Sequence, residues 1–304
     1  MMPECAVSVQ GLVKRYGNVL AIDNISFEVK KGEIFGLLGP NGAGKTTALE
    51  CIEGIRRPDG GILRIGGCNP LSDRSQLRQI LGVQLQSSSL PDTIRSGEAM
   101  ELICAWHSLA TRSDLLSRFG LDPRNKKQYR EMSTGQKRRL HLALALAGNP
   151  AVVILDEPTA GVDVEGRAQL HNAIRELKTS GVTIILATHD MAEAESLCDR
   201  IAIILRGRFT SIGTPAQLTS AGNTATRITI RTKKNCLLPG KDIGDARFQK
   251  QVEAYGIWLS YNAASAVMDL LHEVQQSDDT VEDLRVERPS LEERFIELIE
   301  GRGV

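Results

Sequence analysis

Alternating apolar and polar residues predict that the chain opens with β-structure. Residues 7–16 and 25–29 follow the two-residue period of strands. EIFGLLG, residues 33–39, is almost continuously apolar and predicts a buried strand. Helical spacing follows in TTALECIEGI, residues 46–55, and stops at the Pro/Gly cluster of residues 57–61. A strand, a glycine loop and a helix are therefore expected in succession.

The middle of the chain predicts a helical insert between two parts that contain strands. Three segments within residues 88–149 have helical spacing: 98–110, 114–119 and 135–147. The apolar strands AVVILD (151–156) and VTIILATHD (182–190) follow, separated by a helical stretch at 164–178. This is the pattern of a parallel βαβ unit with both sheet faces covered, and IAIIL (201–205) predicts a further strand.

The pattern changes near residue 213. GTPAQL predicts a helix capped by Thr214, and the small, polar TSAGNTAT follows it. Beyond this point a strand, a helix, a strand and an amphipathic helix are expected in turn. We therefore predict a domain at residues 1–220, with a helical subdomain at about 88–149, and a small α/β domain at residues 221–304.

Composition limits the possible functions. The chain has 304 residues, 41% of them hydrophobic, and 37 basic residues balance 37 acidic ones. Zero net charge provides no general attraction to nucleic acid or to anionic lipid, and an aromatic content of 4% leaves few side chains for base stacking. No nucleic-acid partner is expected.

Hydropathy and cysteine usage indicate a cytoplasmic protein. The longest apolar runs are far shorter than the roughly 20 residues of a membrane-spanning helix, and the start has no secretion signal. Six scattered cysteines, without metal-ligand spacing, suit reduced thiols that fill space.

GPNGAGKTT, residues 39–47, predicts a phosphate-binding loop. It matches GxxxxGK[ST] at Gly39, Gly44, Lys45 and Thr46 and lies between a predicted strand and a predicted helix. Such a loop directs backbone N–H groups at phosphate oxygens, its lysine neutralises the β and γ phosphates, and its threonine binds Mg²⁺. Asn41, Gly42 and Thr47 belong to the same predicted nucleotide-binding segment. The alternative is a glycine-rich turn with no ligand.

Two carboxylates follow the predicted strand VVILD. Asp156 ends the strand, where α/β sheets bind ligands, and is expected to hold Mg²⁺; Glu157 is placed to polarise an attacking water. The alternative is an acidic turn at the end of a strand.

MSTGQ, residues 132–136, predicts a second anion-binding helix start. Ser133, Gly135 and Gln136 offer a hydroxyl, a bare backbone and the first N–H groups of a helix. One nucleotide uses both helix starts only if the second comes from another subunit. The alternative is an N-cap, which would explain Ser133 but not Gly135.

These motifs resemble those of the ATP-binding cassette (ABC) transporter ATPases over about residues 5–220. The resemblance identifies GPNGAGKT as Walker A, MSTGQ as the signature, ILDEP as Walker B, AGVD as the D-loop and THD as the switch histidine region. It implies a P-loop NTPase cassette of the α/β class, with a mixed sheet core, an antiparallel β part and a helical subdomain.

The resemblance implies roles for four further residues. Asp163 is expected at a dimer seam, and His189 at the γ phosphate and the attacking water, although a histidine after an apolar strand is more often packed or capping. Gln86 is expected to meet Mg²⁺ and to couple to a membrane partner, with Gln84 leaving its register open. Tyr16 is expected to stack on adenine, against the alternative of a half-buried strand aromatic.

The signature departs from the usual LSGGQ at two positions. Met132 replaces leucine, and Thr134 stands where glycine is usual. A β-branched residue disfavours a positive φ, so Thr134 is expected to slow hydrolysis without preventing closure. The basic run at residues 137–139 is interpreted as a solvated helix face.

By this resemblance, two copies of the chain bind ATP and Mg²⁺ between them and drive a separate integral membrane permease, on the cytoplasmic face of the membrane. PSLEERFIELIEG resembles the tail of daunorubicin-resistance-type exporter ATPases and favours export. The alternative interpretation of this segment is an amphipathic helix that closes a small domain. The alternative function is a soluble ABC ATPase acting on nucleic acid or ribosomes. Such proteins usually carry two cassettes or a long insert, and here 111 positions separate Lys45 from Asp156.

Overall fold

The structure is a computed structural model that describes residues 5–86, 89–220, 225–237, 239–287 and 290–300. The chain divides into two compact units, Met1–Thr214 and Pro215–Val304. The sequence-predicted boundary at residue 221 and the start of the helical subdomain at residue 88 both lie outside the described residues.

The strands and helices are numbered separately in chain order. The strands are β1 (Cys5–Tyr16), β2 (Val19–Lys30), β3 (Ile34–Leu38), β4 (Gly60–Ile65), β5 (Leu81–Gln84), β6 (Val152–Asp156), β7 (Thr183–Thr188), β8 (Arg200–Leu205), β9 (Arg208–Gly213), β10 (Thr226–Thr232), β11 (Arg247–Val252), β12 (Tyr255–Ser260) and β13 (Val281–Glu287). The α-helices are α1 (Lys45–Ile52), α2 (Arg74–Ile80), α3 (Ser96–Trp106), α4 (Ser113–Arg118), α5 (Thr134–Ala145), α6 (Val164–Thr179), α7 (Met191–Leu197), α8 (Pro215–Ser220), α9 (Ala263–Gln276) and α10 (Leu291–Glu300).

A six-stranded sheet forms the centre of the first unit. Its strand order is β5-β6-β7-β3-β8-β9, with parallel pairing throughout except for the antiparallel pair of β8 and β9. Every residue of β3, β6 and β7 is buried, which explains why these strands are continuously apolar in sequence. Because the three strands are parallel neighbours, their carboxyl ends meet at one edge of the sheet.

An antiparallel sheet of order β2-β1-β4 packs on this centre. One apolar cluster joins the two sheets, and within it the rings of Phe27 and Phe35 stack with their centroids 5.0 Å apart. The β-rich opening predicted from the alternation is therefore present, with β1 and β2 longer than the pattern indicated.

Helices α3, α4 and α5 form the predicted helical part between β5 and β6. Helix α3 ends at Trp106, short of the predicted residue 110, and Ser108 beyond it has a φ of 58°, which a helix cannot continue. Four short elements have weak periodicity and were not predicted from the sequence: β4, α2, α7 and β9.

The second unit contains an antiparallel sheet of order β11-β12-β10-β13. Ile228, Trp258 and Leu270 lie in its apolar cluster, which packs α9 against one face of the sheet. The predicted strands and helices of this region are present as β10, α9, β13 and α10, whereas β11 and β12 were missed. Within the described ranges of both units, no helix is long and apolar enough to cross a membrane.

Candidate functional site

The glycines of the loop at residues 39–47 allow the chain to turn closely between β3 and α1. Gly44 has a φ of 109°, and a Cβ there would lie 2.7 Å from the carbonyl oxygen of Ala21. A Cβ on Gly39 would lie 2.4 Å from the carbonyl oxygen of Ile204. Neither position accommodates a side chain, so the glycines predicted from the motif are sterically required.

The loop surrounds a cavity of about 350 Å³. Its lining residues are Ala21, Pro40, Asn41, Gly42, Gly44, Lys45, Thr46, Thr47, Gln86 and Glu157. Lys45 is buried at the start of α1, and its Nζ donates to the carbonyl oxygens of Gly39 at 2.7 Å and Pro40 at 3.3 Å. A lysine cation and loop N–H groups at a helix start suit the binding of a polyphosphate.

Asp156 and Thr46 place oxygen donors beside this cavity. Thr46 Oγ1 donates to Asp156 Oδ2 at 3.1 Å, while Asp156 Oδ1 is buried and has no hydrogen-bond partner among the described residues. Burial raises the pKa of Asp156, and the Thr46 hydroxyl opposes that rise. A buried, half-satisfied carboxylate next to a hydroxyl has the chemistry to hold a hard divalent cation.

Glu157 lies directly after β6 with both carboxylate oxygens close to charged or titratable groups. Its Oε2 is 2.8 Å from His189 Nδ1, and its Oε1 is 3.5 Å from Lys45 Nζ. The backbone of Glu157 has a φ of 50°, which is unusual for residues other than glycine or asparagine. Its N–H donates to the carbonyl oxygen of Ala187. His189, half exposed, follows β7, so the parallel sheet brings the two residues together.

The segment Ser133–Gln136 begins α5 with a reciprocal cap. Gln136 N donates to Ser133 Oγ at 3.2 Å, and Ser133 N donates to Gln136 Oε1 at 3.1 Å. The N-cap interpretation therefore accounts for both polar side chains. A Cβ on Gly135 would lie 3.4 Å from a methyl carbon of Val162, which is an ordinary contact, so neither the cap nor the packing within this chain requires glycine there.

Asp163 caps α6, accepting from Gly166 N at 2.8 Å. Because Gly135 lies against Val162, the starts of α5 and α6 adjoin each other in one chain. None of Ser133, Gly135, Gln136 or Asp163 lines the 350 Å³ cavity. The structure thus separates the two predicted phosphate-binding helix starts into different places on one subunit.

Thr134 does not have the backbone conformation expected from the sequence. It is the first residue of α5 and is not among the residues with positive φ. The predicted conformational penalty is therefore wrong, because a residue in the first turn of a helix has an ordinary right-handed backbone. Its methyl group instead faces Gly161, where an added Cβ would lie 3.7 Å away.

Gln86 and Tyr16 differ in their relation to the cavity. Gln86 lines it, whereas Gln84 is buried in β5 with both amide atoms lacking a hydrogen-bond partner within the described ranges. Tyr16 ends β1, 39% exposed, outside the cavity lining. The Lys14 ammonium and the Arg56 guanidinium lie 5.6 and 5.3 Å from the centre of its ring.

A larger apolar groove, of about 600 Å³, lies beside the helical part. Its lining residues are Glu53, Gly54, Ile55, Arg74, Leu77, Arg78, Leu81, Gly82, Val83, Leu85, Ser89, Leu90, Ile103, Trp106, His107, His141, Leu144 and Ala145. Ile55 and Trp106 are 62% and 58% exposed. Glu53 is 9% exposed, both its carboxylate oxygens lack a hydrogen-bond partner in the described part of the chain, and burial raises its pKa to about 8.

This groove was not predicted from the sequence, and neither was a polar cluster formed by Thr159, His171 and Glu193. No local sequence motif indicates the groove, because its lining residues come from four separate stretches of the chain, at 53–55, 74–90, 103–107 and 141–145. The sequence does contain a signal for two residues of the polar cluster. Thr159 lies two residues after the predicted catalytic residue Glu157, and Glu193 lies four residues after His189.

Three comparisons relate the chain to known proteins. A family model described as ABC transporter matches residues 22–160. The chain is 31% identical to the daunorubicin resistance ATP-binding protein DrrA3 of Streptomyces coeruleorubidus, over 98% of this chain and 96% of that protein. It is 40% identical to the Nod factor export ATP-binding protein I of Burkholderia thailandensis, over 71% of this chain and 73% of that protein.

Among solved structures, the ATP-binding subunit of an ABC transporter has a TM-score of 0.65 and 27% identity, covering 71% of this chain and 92% of that one. The α/β fold class predicted from the sequence, a mixed sheet with an antiparallel part and a helical insert, is confirmed by this likeness and by the strand order.

Proposed function

Because this chain belongs to the family of ABC transporter ATP-binding proteins, we propose that it powers the export of a drug, antibiotic or lipid-like substrate through a separate integral membrane permease. The chain is an ATP-binding ATPase of that family. One observation carries the proposal: Lys45, Glu157 and His189 converge at the cavity formed by the glycine loop. Export is supported by the relatives, one named for daunorubicin resistance and one for Nod factor export.

In this proposal the loop at residues 39–47 binds the phosphates of ATP, and Lys45 exchanges its carbonyl contacts for the β and γ phosphates. Thr46, Asp156 and Gln86 hold Mg²⁺, which neutralises phosphate charge when bound. Two observations support this ligand set: Asp156 Oδ1 has no hydrogen-bond partner in the part of the chain that the structure describes, and the Thr46 hydroxyl is adjacent to it. Tyr16 supplies the aromatic face for adenine, at the end of β1.

Glu157 acts as the general base in this mechanism. Its carboxylate orients the attacking water and accepts the proton, and His189 holds that carboxylate through Nδ1 while its exposed ring contacts the γ phosphate. Lys45 Nζ lies 3.5 Å from Glu157 Oε1 and forms an ion pair with the base.

We infer that the working unit is a homodimer. Ser133, Gly135, Gln136 and Asp163 lie together at two adjoining helix starts, apart from the cavity of their own chain. In a two-fold dimer they complete the partner's ATP site, and two nucleotides are bound between the subunits. Helix N-termini that face an anion across an interface make closure depend on the γ phosphate.

We further propose that the permease docks in the apolar groove, which holds the subunit at the cytoplasmic face of the membrane. Exposed apolar side chains such as Ile55 and Trp106 support a protein partner there. The segment around residue 86 connects the two sites, because Leu85, Ser89 and Leu90 line the groove and Gln86 lines the nucleotide cavity.

Two experiments test this proposal. Lys45→Ala is expected to weaken ATP binding at least tenfold in a fluorescent-nucleotide titration, because the loop loses its cation. The protein is then co-expressed with a membrane protein encoded by a neighbouring reading frame and purified with it.

Trp106→Glu should abolish that co-purification and leave the ATPase rate of the isolated chain unchanged. Leu102→Glu is the matched control, since Leu102 is equally exposed on α3 but does not line the groove. ATP hydrolysis that depends on added RNA, with no membrane partner, would instead support the soluble nucleic-acid or ribosome alternative.

A further inference from the structure

Three chain segments meet at the carboxylate of Glu193. Thr159 Oγ1 donates to Glu193 Oε1 at 2.8 Å, and His171 Nε2 lies 3.3 Å from the same oxygen. Thr159 belongs to the turn after β6, His171 to α6, and Glu193 to the first turn of α7. A single side chain therefore joins a turn and two helices that are far apart in sequence.

Two members of this cluster, Thr159 and Glu193, are buried, and His171 is half-buried. Glu193 is 2% exposed and Thr159 is 4% exposed. Burying a carboxylate costs free energy unless hydrogen bonds to its oxygens compensate. Glu193 Oε2 has no hydrogen-bond partner among the described side chains and backbone. The hydrogen bond from Thr159 is therefore a substantial part of what stabilises this carboxylate.

Each of the three segments begins at a residue of the proposed hydrolytic site. Thr159 lies two residues after Glu157, His171 lies on the helix capped by Asp163, and Glu193 lies on the helix that follows His189. Asp190 supports the same arrangement: it caps α7 at Glu193 N and pairs with Arg167 of α6 at 3.0 Å.

The turn that carries Glu157 has a particular need for such support. Glu157 has a φ of 50°, a conformation that costs free energy for a residue with a Cβ and persists when its surroundings enforce it. Ala160 N donates to the Glu157 carbonyl oxygen, and Val162 N to the Thr159 carbonyl oxygen, so Thr159 lies inside the same compact turn.

We propose that Glu193 is a positioning residue for ATP hydrolysis: through Thr159 and His171 it sets the positions of Glu157, Asp163 and His189 relative to one another. It touches neither ATP nor the attacking water. The inference rests on the roles proposed above for those three residues and adds the group that aligns them.

Thr159→Val tests the proposal with a substitution of nearly equal volume. Because a hydrogen bond to a charged, buried acceptor is lost, kcat for ATP hydrolysis is expected to fall about tenfold. KM for ATP should change less than twofold, since the loop at residues 39–47 is untouched. Thr159→Ser restores the hydroxyl and should return kcat to within about twofold of the wild-type value.

Thr183→Val is the matched control for a purely structural effect. Thr183 is also buried, 2% exposed, and its Oγ1 accepts from Gly32 N at the opposite end of β7 from His189. Both valine variants are expected to lower the melting temperature by a few degrees, but only Thr159→Val should lower kcat. Equal kcat values for the two variants would overturn the proposal.

A double-mutant comparison distinguishes this inference from the proposed function. If the two side chains act as one unit, Thr159→Val combined with Glu193→Ala is no slower than Glu193→Ala alone. Independent, multiplying losses would overturn the inference. Full activity of Glu157→Gln would refute the proposed hydrolytic roles themselves, whereas an inactive Glu157→Gln with a fully active Thr159→Val would refute only the positioning role.

Discussion

Replacing Glu157 by glutamine separates catalysis from nucleotide binding most directly. Glutamine has the same length and tolerates the φ of 50° no worse than glutamate, so the turn after β6 is retained. What changes is that the amide cannot accept a proton from water. Loss of a general base typically costs a factor of about 10² to 10⁴ in rate, or roughly 3–5 kcal/mol in activation free energy.

The structure indicates that this variant remains folded. At 3.5 Å, the gross attraction between Glu157 and Lys45 is roughly 5 kcal/mol at an effective dielectric constant of about 20. The variant loses this attraction, but it also avoids the desolvation cost of burying the Glu157 carboxylate. Lys45 keeps its contacts with the carbonyl oxygens of Gly39 and Pro40. We therefore expect a melting temperature within a few degrees of the wild-type value.

Two measurements on the purified Glu157→Gln chain follow. Phosphate release should fall at least about a hundredfold, and ATP with Mg²⁺ should shift the chain to a stable dimer on size exclusion, because closure occurs and hydrolysis does not reopen it. Glu195→Gln, the same chemical change at an exposed position of α7, should behave like the wild type. A Glu157→Gln variant that hydrolyses ATP at an undiminished rate would refute the assignment of the base.

Three further outcomes follow from the structure. Ser133→Ala should lower the free energy of unfolding by about 1 kcal/mol, because α5 loses its cap. It should also slow ATP hydrolysis without changing ATP binding, which is measured by titration. An unchanged hydrolysis rate would contradict the dimer. Thr134→Gly should lower the melting temperature slightly, since Thr134 is in an ordinary helical turn; a rise would mean that it is strained. Burial raises the pKa of Glu53 from 4.5 to about 8, so the free energy of unfolding should decrease as pH rises between those values. Glu53→Gln should remove much of that decrease when unfolding is measured by denaturation at several pH values. Identical pH profiles for the variant and the wild type would contradict the shift.

The central sheet and its loops followed closely from the sequence. Strands β3, β6 and β7 are buried on both faces, so they are continuously apolar and stand out in the chain. Elements with weak periodicity did not follow from the sequence. Strands β11 and β12 contain few buried residues in alternation, and α2 has one buried residue. Where burial on one face is sparse, periodicity carries little information.

The sequence by itself determined the chemistry: the glycine loop, Lys45, Asp156 followed by Glu157, and the order of the motifs that indicates the family. These features are local, because each depends on residue types at fixed short spacings. Tertiary structure alone decided that Glu157 meets His189, that the starts of α5 and α6 adjoin away from the cavity, and that Glu193 joins three distant segments. Such contacts arise when parallel strands bring their carboxyl ends to one edge, and residue order along one chain does not specify which side chains then touch.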